Sequence, residues 1–277
     1  MSTPVDPAPQ QPDALQLTAP EQPDAPQPAA GASKKRRQPE QQAPPVQRLR
    51  VRYAKRGPAR FTSHRDVGRA LERALRRADV PMAYSSGFNP HPRISYANAS
   101  PTSAATEAEY LELGLSEVCD PAKVRDALDE VLGTGLDVVD VVEASSTSMN
   151  DLLTASAWRI DLGEVDRGVL EGAVEKLLAA DELHVQRMTK SGMRDFDVRA
   201  AVIELRLDPQ GQLLFLGRHG TPLVRPDDVV TALRSLAPEL AVERSALLTR
   251  LGQGRELDDP APGTLLDPFT HAPVTLF

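Results

Sequence analysis

Residues 61–110 read FTSHRDVGRALERALRRADVPMAYSSGFNPHPRISYANASPTSAATEAEY, and this stretch decides how its surroundings fold. Ser63 and Asp66 stand in S-x-x-D spacing, which satisfies the orphan N–H groups of a first helical turn. Val67, Leu71, Ala74, Leu75 and Ala78 then recur at the interval of one buried helix face. Pro81 stops that helix at about Asp79. Residues 82–100 read as loop and strand, and Glu109 to Leu115 alternates as a second strand.

Working outward, Val46 to Tyr53 (VQRLRVRY) alternates apolar with basic residues, the period of a half-buried strand. Pro121 opens a helix that runs through about Leu132, and Leu136 to Glu143 is a further strand. The second half repeats the rhythm. Strands are expected at Trp158 to Leu162, Leu183 to Met188, Phe196 to Leu207, Leu213 to Leu216 and Ala241 to Leu248, with helices at Val169 to Leu178 and Pro226 to Leu236. A polar turn, Lys190 to Asp195, separates two of these strands. The expected fold class is α+β: two tandem ferredoxin-like (βαββαβ-like) units, each an antiparallel sheet with its helices on one face. The expected boundaries are a disordered Pro/Gln-rich leader over 1–45, a first unit over 46–150, a second over 151–251 and a loose C-terminal tail over 252–277.

The leader carries 11 prolines and 8 glutamines but no aromatic residue, so it cannot bury enough apolar surface to offset the entropy of ordering. Its one charge cluster, Lys34 to Arg37, suits a tether to RNA or to an acidic partner, or serves only solubility. The formal net charge of −7 hides a partition: residues 46–96 hold 12 basic and 3 acidic residues, residues 97–150 hold 2 basic and 11 acidic. Local fields, not the average, bear on anion binding. Cys119 is the single cysteine, which excludes a disulfide within the chain and a cysteine-held cluster or structural zinc site. Without a membrane-length apolar run or a secretory leader, a cytoplasmic protein is expected.

Chemistry concentrates in the opening stretch. Arg65, Arg69 and Arg73 are spaced four apart, and Arg76 and Arg77 extend the line, so planar guanidinium groups stack along one helix face as phosphates require. A solvated face partly neutralised by the acidic segment is the competing reading. In the loop Ser85 to Arg93, Gly87 permits a tight turn while Pro90 and Pro92 stiffen the backbone around Asn89 and His91. That loop presents His91 and Arg93 to a ligand with Tyr84, Phe88 or Tyr96 as stacking surfaces, or else plugs the sheet with Phe88 in the core. His64 and His91 are candidates for acid–base catalysis if their rings converge. No spacing of ligands marks a metal site. Lys190 to Arg194, with Asp197 and Arg199, reads as a basic hairpin or a solvated turn.

Phe61, Ser63, His64, Asp66, Arg69, Arg76, Arg77, Pro81, Tyr84, Ser85, Gly87, Phe88, Asn89, Pro90, Pro92, Glu109 and Tyr110, followed more weakly by Lys190, Gly192, Asp197 and Arg199, carry a family resemblance. Over roughly residues 46–250 the chain resembles an uncharacterised bacterial family of radical SAM-associated (radical SAM-linked) proteins, in its stand-alone form. Arg65 departs from that pattern, standing where an apolar residue is expected. The resemblance implies a radical SAM protein on a separate chain as partner, and no cofactor on this one. The expectation is therefore a non-catalytic accessory protein that binds RNA or presents a substrate. Contacts would come from Arg65, Arg69, Arg73, Arg76, Arg77, Tyr84, Phe88, Asn89, His91 and Arg93. Two alternatives stay open: a metal-independent RNA-processing or other acid–base enzyme using His64 and His91, and a protein–protein adaptor.

Overall fold

In a computed structural model, the described residues are 41–189, 192–240 and 245–277. The leader expected over 1–45, with Lys34 to Arg37, lies outside them up to residue 40, as do Lys190, Ser191 and the first four residues of the strand expected at Ala241 to Leu248. In chain order the elements are β1 (Gln47–Lys55), α1 (His64–Arg77), β2 (Ile94–Ala97), β3 (Ala105–Leu115), α2 (Pro121–Val131), β4 (Leu136–Glu143), α3 (Met149–Leu152) and β5 (Ala155–Asp161). There follow α4 (Arg167–Ala179), β6 (His184–Thr189), β7 (Gly192–Asp197), α5 (Val198–Ala201), β8 (Val202–Leu207), β9 (Leu213–Arg218), α6 (Pro226–Leu236), β10 (Leu247–Gly254), β11 (Thr264–Leu266) and β12 (Pro273–Thr275).

Both halves share one eight-stranded sheet, ordered β4-β1-β3-β10-β5-β9-β8, with β2 also on β3. Pairing within each half is antiparallel as expected, and one short parallel contact joins the halves: Thr249 and Arg250 of β10 face Ala105 and Thr106 of β3. β3 pairs with β1 along one edge. Its other edge is divided between β2, at residues 110–113, and β10. The described residues form one compact unit.

Strand alternation builds the layers. Leu49, Val51 and Tyr53 of β1 meet Val67, Leu71 and Leu75 of α1 and Val124 and Leu128 of α2 in one core. Trp158, Ile160 and Phe215 meet Leu170, Leu177, Val229 and Leu233 of α4 and α6 in a second. Residues of opposite parity, Ala108 and Tyr110 in β3 and Ala155 and Ala157 in β5, pack instead under Phe269, Leu265 and Leu276. The segment after Gly252 is therefore structured, not the loose tail expected. β10 runs to Gly254, and β11 and β12 pair beyond it. A Cβ on Gly252 would lie 2.5 Å from Leu276 Cδ1, and one on Gly254 would lie 2.3 Å from the Leu266 carbonyl, so glycine here lets two chain segments approach closely.

Two further boundaries moved for local reasons. Asp197 accepts a hydrogen bond from the Ala200 N–H (3.3 Å), and that cap turns the expected strand Phe196 to Leu207 into the end of β7, the turn α5 and then β8. The expected turn Lys190 to Asp195 is narrower, since Gly192 to Asp195 already pair in β7. By contrast β4 and α6 match the sequence reading residue for residue.

Candidate nucleic-acid interface and an adjoining cavity

Ser63 sets the start of α1: its Oγ accepts the Asp66 N–H (3.2 Å) and donates to Asp66 Oδ2 (2.7 Å). With Val67, Leu71, Ala74 and Leu75 buried, Arg65, Arg69, Arg73, Arg76 and Arg77 fall on exposed positions. From Arg65 to Arg77 the line spans roughly 18 Å at 1.5 Å per residue. Arg69 lies 3.6 Å from Asp66 at the surface. Among the described residues the other four guanidinium groups make no ion pair or hydrogen bond.

The arginines of β1 behave differently. Alternation that turns Leu49 and Val51 toward the helices turns Arg48, Arg50 and Arg52 to the opposite face, where the register sets Arg50 across from Glu112 and Arg52 across from Asp140. Arg48 and Arg50 both pair with Glu112 (3.0 and 3.3 Å), and Arg52 pairs with Asp267 (2.8 Å). Arg50 is 2 % exposed and also donates to Ser145 Oγ at 3.0 Å. Arg56 reaches Glu107 and Asp137. Carboxylates of the acidic segment 97–150 thus pair with the arginines of β1 and with Arg56, and, among the described residues, with none of the α1 arginines.

The loop after α1 closes on itself. Ser85 N–H donates to His91 O (2.9 Å), Arg93 N–H to Ala83 O (2.8 Å) and His91 N–H to Ser85 Oγ (3.0 Å). Gly87 holds φ at +141°, a conformation side-chain-bearing residues rarely adopt. The tip therefore projects with Phe88 72 % exposed and Asn89, Pro90 and His91 exposed beside it, which rules out Phe88 as a core plug. Tyr84 is exposed as well, whereas Arg93 spends its Nε on the Tyr84 carbonyl (3.0 Å) and holds the loop. Tyr84, His91 and Pro92 share a small cavity of about 140 Å³ with Glu72, Leu75 and Arg76, so the loop rests on the C-terminal half of the arginine helix.

His64 and His91 do not come together. His91 lies against residues 72–76 of α1, roughly 12–18 Å along the axis from His64 at 1.5 Å per residue. His64 packs edge-on against Tyr96, ring centroids 4.9 Å apart, and lines another cavity. The acid–base pair expected as an alternative has no geometry to work with. In the β6–β7 hairpin, Arg194 is exposed, Asp197 caps α5, and Arg199 donates to the Leu178 and Val202 carbonyls, so no joint basic site forms there among the described residues. Among the described residues, no three His, Cys, Asp or Glu side chains group as a metal requires, and no helix is long and apolar enough to cross a membrane.

The cavity beside His64 measures about 780 Å³ and was not visible in the sequence. Its floor comes from the sheet (Ser156, Trp158, Phe215, Gly217 and Arg250), and its rim from the loop 98–102 and the start of α6. Buried Arg250 donates to Glu109 Oε1 (2.6 Å), Asn98 O (2.7 Å) and Thr106 Oγ1 (3.2 Å), fixing the loop and both halves of the sheet at once. His219 Nδ1 lies 2.7 Å from the Leu153 carbonyl and Nε2 lies 2.6 Å from Ser156 Oγ. Burial pushes the imidazole pKa down, with Arg250 adding to the effect. A neutral ring that donates from Nδ1 and accepts the Ser156 hydroxyl at Nε2 satisfies all three groups. Ser156 is 3 % exposed, and this pair reads as an internal tie between β5 and the end of β9.

A family profile described as an uncharacterized protein conserved in bacteria (DUF2344) matches residues 48–226, from β1 through α1, the projecting loop and the cavity wall to the start of α6. No curated protein matches the sequence. The match covers more than half of the chain, and the protein belongs to this family.

Proposed function

We propose that this DUF2344 protein binds RNA through the arginine face of α1 and the projecting loop, as a non-catalytic accessory that presents the RNA to a partner enzyme. One observation carries the reading: among the described residues, four of the five α1 arginines are exposed and without an ion pair, while the neighbouring β1 arginines are all matched to carboxylates. Like charges four apart on a helix each cost a few tenths of a kcal/mol, about 0.2–0.5. Arg65, Arg69, Arg73 and Arg77 form three such pairs in series, and a polyanion laid along them relieves that repulsion while releasing its own counterions. Tyr84, which lines a small cavity with Arg76, and the exposed Phe88 at the loop tip offer ring faces to unpaired bases, which favours a single-stranded target.

The resemblance to radical SAM-associated proteins supplies the partner class, a radical SAM enzyme on another chain. Cluster-binding cysteines would then belong to that enzyme, since Cys119 stands alone here. The repeated rhythm of strands and helices in the sequence supports tandem ferredoxin-like units. The strand orders β4-β1-β3-β2 and β10-β5-β9-β8, all antiparallel within each half, are consistent with that ancestry.

The test is RNA affinity as a function of salt. Five phosphate contacts to a single strand predict a slope of log K against log salt of about −3.5, at roughly −0.7 per contact. Reversing Arg69 and Arg73 to Glu flattens that slope. No binding at low salt, or a slope unchanged by the double reversal, refutes the interface.

A further inference from the structure

We propose that the cavity between α1, α6 and the β3–β10 junction binds a mononucleotide unit, its base against Trp158 and its phosphate held at the rim by Arg225 and His64. The volume of about 780 Å³ falls within the roughly 300–1,000 Å³ of small-molecule sites. Its floor is aromatic and buried, with Trp158 and Phe215 side by side on the sheet. Trp158 is backed by Arg250, 5.4 Å from its ring, which fixes the indole.

The rim groups select the ligand. Among the described residues, the His64 imidazole forms no ion pair or hydrogen bond, and the Arg225 guanidinium and Asp227 carboxylate attract each other electrostatically without a hydrogen bond or close ion pair. Asn98 holds its Nδ2 3.4 Å from the Leu153 carbonyl and 3.2 Å from His219 Nδ1, and its Oδ1 accepts no hydrogen bond among the described residues. A purely apolar ligand would make no use of the carboxylate and the guanidinium at the rim. A simple anion would face Asp227. A nucleotide meets every group: a ring for the aromatic floor, N–H donors on the base for Asp227 and Asn98, and a phosphate for Arg225 and His64.

Two sources share this chemistry, a free nucleotide and one nucleotide of an RNA lying on α1, whose first residue is His64. The second source rests on the RNA reading above; the first does not. Trp158 is the single tryptophan of the chain, so its fluorescence reports on this cavity alone. The experiment titrates the full-length protein with the four ribonucleoside monophosphates, their nucleosides and a short single-stranded RNA. At least one nucleotide is expected to shift Trp158 emission saturably. Arg225→Ala should weaken that nucleotide about tenfold, the loss of one charge-assisted contact, and leave its nucleoside unaffected. Asp227→Asn, also on the surface, should reorder the preference among bases.

If R69E/R73E leaves nucleotide binding intact, the free nucleotide is the source. If only RNA shifts the emission and the double reversal abolishes the shift, the polymer is. Nucleotide binding without RNA binding sinks the α1 interface and not the cavity. If neither nucleotide nor RNA perturbs Trp158, or if both rim variants bind as wild type, the assignment is wrong.

Discussion

Two sets of arginines lie within thirty residues of each other and share a composition but not a fate. On β1, a period of two aims every second side chain at one face, and antiparallel register places carboxylates of β3 and β4 directly opposite. Charge there becomes part of the fold, and Arg50 is as buried as the leucines beside it. On α1, a near-four-residue spacing puts the guanidinium groups on a solvent-facing ridge that no acidic strand borders closely enough to neutralise. A positive charge count treats the two sets alike. The partners decide which of them is structural and which is available to a ligand.

Substitution should separate the sets, and the largest effect belongs to the strand. Arg50→Ala leaves Glu112 with only the exposed Arg48 and removes the donors to Ser145 and Thr147. Unfolding by urea should show a loss of about 3–5 kcal/mol, as for other broken buried pairs. RNA affinity of the remaining folded protein should not change. The double reversal R69E/R73E is its mirror image. Stability should stay within about 0.5 kcal/mol, because both positions are exposed. RNA affinity at low salt should fall on the order of 100-fold, for two charge-assisted contacts at about 1.5 kcal/mol each. If Arg50→Ala weakens RNA binding as much as the double reversal does, the division between the two sets is wrong.

Phe88→Ala tests whether the loop belongs with the helix. Stacking on one base is worth about 1–3 kcal/mol, so single-stranded RNA should lose that much affinity and a duplex of equal length much less. Melting temperature should not move, since the ring is largely in solvent. The smallest effect is a pH dependence that must be subtracted before acidic binding data are read. His219 is held neutral in the fold, whereas the unfolded chain takes up a proton near pH 6.5. Stability should therefore be level above about pH 6.5 and decline as pH falls from there toward the lower folded pKa, by at most about 1.4 kcal/mol per pH unit. Urea titrations at several pH values should show this slope in the wild type and lose it in His219→Gln.

Much of the fold was legible because its signals are local. The apolar spacing of α1, the Ser63 cap, Pro121, and the boundaries of β4 and α6 each follow from a few adjacent residues. What escaped is non-local. Trp158, Phe215, His219 and Arg250 belong to three strands and a loop, and they meet His64 only because β10 lies beside β3. No periodicity encodes that neighbour. The C-terminal segment escaped for the opposite reason: its local signal pointed to a loop. Glycine at 252 and 254 usually marks flexible chain, and here it makes room for Leu276 and the Leu266 carbonyl.

β10 joins the two halves of the sheet, and it is the last of the sheet's strands to be synthesised. Until it emerges, β5 has an unpaired edge, and its sequence ASAWRID offers hydrogen bonds and apolar surface to any passing strand. A nascent chain that stalls after β9 would thus hold two nearly finished halves with a sticky seam between them. The side chains that later seal this seam, Arg250 to Glu109 and Gln253 to the Ala108 carbonyl, arrive on the closing strand itself. Closure of the eight-stranded sheet is therefore a late event, and a chaperone would have most reason to attend this protein during the interval just before it.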